Sequence, residues 1–199
     1  MSVRICDDRG DRGFSWVVEE KLTRTSHALA DGGRVWLVDP VDDAVALERA
    51  TTLGEPQAVL QLLDRHNRDS AAIAARLGIP RLVAPRALPG TPFEVVEVKR
   101  RPWWREVALW WAAERTLIVP EAVGTNRFYT ADRGSAGVHV FMRLFPPRRA
   151  LARFEPEHLL VCHGEGVHGS EAAGALRFAL ADSRRGIPRL LRLLPSLSR

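Results

Sequence analysis

The stretch Leu62–Gly78, LLDRHNRDSAAIAARLG, gathers six polar side chains where an apolar run stops and a helical pattern begins. Asp64, Arg65, His66, Asn67, Arg68 and Asp69 form this knot. A strand that ends this way delivers polar groups to a site beside a helix start. Imidazole and carboxylate groups there suit a metal ion, whereas a guanidinium suits an anion. Two other stretches carry groups of the same kind. LIVPEAVG runs through a short apolar segment to Glu121, and HLLVCHGEGVHG follows another with His163, Glu165 and His168. His139 lies in GVHVFMRLFPPR and is a further group that can point into a common cleft.

The elements that position these groups follow from periodicity. Strands are predicted over 14–21 and 26–40, the second folded back at the tight turn Asp31-Gly32-Gly33, where glycine accepts positive φ. Pro40 stops regular pairing and leaves Asp39 at a strand end. A helix over 44–53 stops at Gly54 and Pro56. A buried strand over 58–63 leads to the charged knot, and a helix over 70–77 follows. Asp69 or Ser70 can cap that helix, and Gly78 and Pro80 close it. Further strands are predicted over 81–84, 93–99, 104–111, 116–119 and 158–162, with a helix over 171–183. The segment 126–153 reads as a long irregular loop. Alternation puts Trp104 and Trp110 on one face of their strand, with Trp103 and Trp111 on the other. One face is core; the other serves a homodimer contact or a ligand cleft. Strands of both senses alternating with helices predict an α/β protein with mixed sheets packed between helices.

Bulk composition narrows the classes. With 199 residues, 46% of them apolar, the chain can bury one sizeable core, so one domain over 1–199 is expected. No apolar run is long enough for a membrane span, and no membrane partner is expected. Asp7, Asp8 and Asp11 stand where a signal peptide would be apolar, and only Cys6 and Cys162 are present. A reducing cytoplasm is the expected location. The net charge is +5, but the arginines are scattered among carboxylates, so no nucleic-acid partner is expected. Weak steering of an anionic ligand remains. The basic tail, 186–199, reads as a docked amphipathic helix rather than a membrane anchor.

The order of these stretches resembles the metallo-β-lactamase superfamily. A strand pair ends at Asp39, a strand delivers DRHNRDS to a helix start, a strand ends at Glu121, and another ends at His163. The resemblance runs from Phe14 to Leu180 and implies an αββα sandwich of two mixed sheets. It also implies a binuclear metal centre on a threonine-His-x-His-x-Asp-His run. With the Asp of that run on Asp69, its three histidines fall on Arg65, Asn67 and Ser70. No histidine stands in VEVKRRPWW, where the family's next ligand is expected. The bridging carboxylate falls on Glu121 and the last histidine on His163. The set that usually holds one metal by three imidazoles is therefore gone.

This leaves three readings. In one, the protein is a degenerate member, catalytically silent or a binding module for a small anionic ligand. Arg65 then supplies the charge of a lost metal, with Asn67 and Ser70 beside it. In another, it is a divergent hydrolase with one Zn, Mn or Fe ion on Asp69, Glu121 and His163, while His66 or His168 moves protons. In a third, it is a structural partner that dimerises through its tryptophan strands. His66 lies one position off either ligand slot, and such a slip turns a side chain to the opposite face.

Overall fold

The computed structural model describes residues 2–20 and 22–190. Its first half contributes β1 (Val3–Cys6), β2 (Gly13–Val18), β3 (Arg24–Asp31), β4 (Arg34–Val38), α1 (Ala44–Leu53), β5 (Glu55–Gln61), α2 (Ser70–Leu77) and β6 (Arg81–Val83). These strands form one sheet in sequential order, antiparallel from β1 to β4 and parallel from β4 to β6. The second half contributes β7 (Phe93–Arg101), β8 (Trp104–Trp111), β9 (Thr116–Val119), β10 (Val123–Gly124), α3 (Arg127–Thr130), β11 (Gly137–Val138), α4 (Arg148–Leu151), β12 (His158–Val161), β13 (Val167–His168) and α5 (Ser170–Asp182). The second sheet has the order β13-β12-β9-β8-β7, and β10 pairs with β11 alone.

Side-chain alternation explains the layers. In β4, Val35 and Leu37 join a cluster under α1 and α2, with Ala46, Leu47, Ala50 and Ile73. Trp36 and Val38, on the other face, meet Val107, Leu109 and Trp111 of the second sheet. In β9 and β12, Ile118 and Leu160 face that same interior, while Leu117, Val119, Leu159 and Val161 pack beneath α5. Each strand therefore serves two apolar layers, which makes an αββα sandwich.

Trp104 and Trp110 share one layer and Trp111 the other, as alternation requires. Trp103 lies in the turn between β7 and β8 and is exposed. Among the strands, β1, β10, β11 and β13 were not expected; β1 and β13 are edge strands, and β10, β11 and β13 have only two residues each. The segment 126–153 is not plain loop, since Asn126 caps α3 by accepting from Phe128 N and Tyr129 N. The tail beyond Leu190 lies outside the described residues. Among the described residues, no helix is long and apolar enough to cross a membrane.

Two isolated bridges, Leu63↔Glu106 and Arg24↔His163, tie the sheets together along one edge of the sandwich. The charged loop after β5 opens between them.

Candidate functional site

Glu121 is the hub of the site. Its backbone is fixed by a second carboxylate, Glu106 of β8, whose Oε1 accepts from Glu121 N at 3.1 Å and Ala122 N at 2.6 Å. Trp104 Nε1 donates to the other Glu106 oxygen at 2.8 Å. Burial pushes the Glu106 carboxyl up to about 7, against these three hydrogen bonds.

Three imidazoles converge on the Glu121 side chain. His66 Nε2 and His163 Nε2 approach Oε2 at 2.9 and 3.1 Å, and His139 Nε2 approaches Oε1 at 3.0 Å. Tyr129 stacks on the His163 ring, 5.5 Å between centroids. Burial alone would raise the Glu121 pKa, but hydrogen bonds from His139, His163 and His66 outweigh it and hold the carboxyl well below its ordinary range.

Hydrogen-bond partners assign the protons. His66 Nδ1 faces Asp39 Oδ2 at 3.1 Å, so both of its nitrogens face carboxylates and both donate. Burial disfavours that imidazolium, but the Asp39 charge and the two carboxylate hydrogen bonds raise its pKa. His163 Nδ1 donates to the Leu22 carbonyl at 3.1 Å. His139 Nδ1 accepts from Phe141 N at 3.4 Å, so its single proton stays on Nε2, toward Glu121.

A guanidinium lies beneath this hub. Arg68 Nη1 donates to Thr25 O at 2.6 Å and Asp39 O at 2.8 Å, and Nη2 donates to Cys162 O at 3.0 Å. Those carbonyls belong to β3, the end of β4 and the end of β12, so one side chain joins both sheets. Asp39 Oδ1 accepts from Leu62 N at 3.2 Å, and Cys162 Sγ lies 3.5 Å from Asp39 Oδ2. Burial and the Asp39 charge push the Cys162 thiol well up, so it stays protonated.

The loop's register differs from the expected one by a residue. Arg68 adopts positive φ (34°), and Gln61 Nε2 pins the loop start by donating to Leu63 O and Asp64 O. His66 and Arg68 consequently turn inward, and their neighbours turn out. Asp69 does not join Glu121 and His163; its carboxylate accepts from Asp42 N at 2.8 Å and makes no cap to α2. Arg65 does not bridge carboxylates either: it lies over the Trp104 indole, 4.1 Å from the ring centroid. Asn67 accepts from Arg81 at 3.5 Å, and Ser70 is buried with its hydroxyl unpartnered. His168 pairs with Asp7 at 3.0 Å and with His158 at 2.9 Å, away from Glu121. Sequence reasoning missed Glu106 and Arg68 as site residues. Asp39 at its strand end was visible, but nothing in the sequence linked it to His66.

Ligand atoms of His66, Glu121 and His163 lie within 4.8 Å of one another, as do those of Asp39, His66 and Cys162. Either trio has the donor chemistry of a metal-binding group.

Solved metallo-β-lactamases share this architecture. DIM-1, in a structure exposed to ceftazidime, is 13% identical over 93% of this chain and 98% of its own, with a TM-score of 0.63. The enzyme from Pontibacter korlensis is 10% identical over 92% of this chain and 99% of its own, also at 0.63. That from Hirschia baltica is 10% identical over 90% and 98%, at 0.59. No family model matches the sequence, and no curated protein matches it. The chain thus has the metallo-β-lactamase fold.

Proposed function

We propose that the protein is a metal-independent member of this fold, a binding module for an anionic ligand rather than a hydrolase. The observation that carries this reading is the charge balance that the side chains make among themselves around Glu121. His66 Nε2 and His163 Nε2 both face the same carboxylate oxygen, at 2.9 and 3.1 Å. Two ligands on a tetrahedral zinc at ~2.0–2.1 Å stand about 3.3 Å apart with no proton between them. His66 also faces Asp39 through Nδ1, so an ion would have to displace a charge balance that the protein already makes for itself. A second ion near Asp39 and Cys162 would meet the Arg68 guanidinium, which donates to the carbonyls of both residues. The residues therefore fit a self-neutralised polar centre better than a binuclear one.

Binding of an anion is supported by the cations above this centre. Arg65 and Lys99 both lie over Trp104, at 4.1 and 4.2 Å, and neither forms an ion pair among the described residues. The test is elemental analysis after dialysis against zinc, with melting curves in zinc, EDTA and pyrophosphate. Metal well below one per chain, a midpoint indifferent to zinc and EDTA, and a midpoint raised by millimolar pyrophosphate are expected. One tightly held ion per chain contradicts the reading.

A second reading rests on the convergence of His66, Glu121 and His163. These three would hold one Zn, Mn or Fe ion, which would supply an activated water. The same elemental analysis decides between the two.

A further inference from the structure

Four large apolar side chains stand in solvent on one side of the molecule. Trp103 is 63% exposed, Phe141 76%, Leu144 58% and Phe145 82%. Folded proteins seldom leave such a group uncovered without a partner for it. Trp103, Phe141 and Phe145 line a groove of about 730 Å³ together with Lys99, Arg101 and Arg149. A second groove of about 700 Å³ continues past Phe145 and Arg149 to Arg148 and Arg184. Glu97 is the one carboxylate lining either groove among the described residues, and Arg100 pairs with it at 2.6 Å. Lys99, Arg101 and Arg149 form no ion pair among those residues. Arg148 and Arg184 donate to the Leu180 and Leu144 carbonyls, which leaves their charge uncompensated.

Arginines that look scattered in the sequence are thus gathered by the β7–β8 turn and the 141–149 segment onto one face. We propose that this face binds single-stranded nucleic acid. Trp103, Phe141 and Phe145 offer rings for bases to stack on, and Lys99, Arg101 and Arg149 track the phosphates. Interleaved aromatic and cationic groups along a groove suit a flexible polyanion with flat faces. A second copy of the chain would set two cationic faces against each other. The inference rests on the anion-binding reading above and names its ligand class. Phe141 also packs edge-on to His139, 5.3 Å between centroids, so the groove lies beside the Glu121 hub.

The experiment is fluorescence anisotropy of the full chain with labelled dT12 and rU12 in 50 and 200 mM salt. Binding of at least one oligomer is expected, weakened roughly tenfold or more at the higher salt. F141A/F145A should weaken it at least tenfold with the salt dependence kept, and R101E/R149E should flatten that dependence. An abasic 12-mer of equal charge should bind at least tenfold more weakly than dT12. The variants alter exposed side chains, and circular dichroism checks their folding. The proposal is overturned if neither oligomer binds, if the abasic strand binds as well as dT12, or if anionic phosphatidylglycerol vesicles bind while oligomers do not. Pyrophosphate that still raises the melting point in any of those cases leaves the broader anion-binding reading intact.

Discussion

Glu121 organises the candidate site by drawing three imidazole nitrogens to within 3.1 Å of one carboxylate. Its two oxygens receive three N–H groups, and its backbone N–H is held by Glu106. Removing it leaves the Nε2 atoms of His66 and His163 without their carboxylate partner. E121A is expected to cost ~3 kcal/mol in urea unfolding, the range for breaking a buried ion pair, and E121Q less. A second prediction concerns pH. Burial holds His27 down at about 4 against an ordinary 6.5, with Ser15 Oγ on Nδ1 at 2.7 Å. The unfolded chain binds a proton below pH 6.5, whereas the folded chain does not until about pH 4. Stability is therefore full above pH 6.5 and lost as pH falls toward 4, by at most ~3 kcal/mol. Glu106, raised to about 7, gains stability as pH falls over the same window, so the His27 share is read as a difference: the wild type should lose stability relative to H27Q between pH 7 and 5 in urea unfolding.

At the scale of elements, Arg68 and Gly164 decide whether the two sheets close around the site. Arg68 ties carbonyls of three strands, so R68A is expected to cost ~2–4 kcal/mol, and R68K to recover less than half. A single ammonium cannot reproduce the planar fork. Gly164 has φ +107°, and an added Cβ would meet Thr125 Oγ1 at 2.1 Å and Asn126 N at 2.7 Å. G164A should lower the melting midpoint and loosen the Leu22–His163 contact, seen as faster amide exchange at Thr23 and Gly164. Helices α1, α2 and α5 and the longer strands were legible in the sequence, because stops such as Gly54 and Gly78 are local signals. The site was legible in part. Glu121 and His163 follow apolar strands whose ends can be read directly. The loop after β5 could not be read, because its register depends on Arg68 at positive φ and on Gln61 holding Leu63 and Asp64. One residue of slip turned His66 and Arg68 inward where Arg65, Asn67 and Asp69 were expected. Glu106 stayed hidden because an acidic residue inside a strand of tryptophans gives no sign of facing inward.

At the scale of the whole molecule, the chain has the metallo-β-lactamase sandwich, and the proposed reading has the charges at its open edge balanced by the protein. Such low identity with the solved enzymes carries the architecture and leaves the chemistry to be argued from side chains. Metal independence of folding follows from this account: chelation should leave the unfolding midpoint where it is, whereas a structural ion would lower it. The most direct measurement is an anomalous difference map at the zinc edge from crystals grown with zinc in excess. The account predicts no peak among His66, Glu121 and His163, and imidazole nitrogens still within hydrogen-bond reach of the carboxylate. A peak at ~2.0–2.1 Å from His66 Nε2 and His163 Nε2 would contradict it.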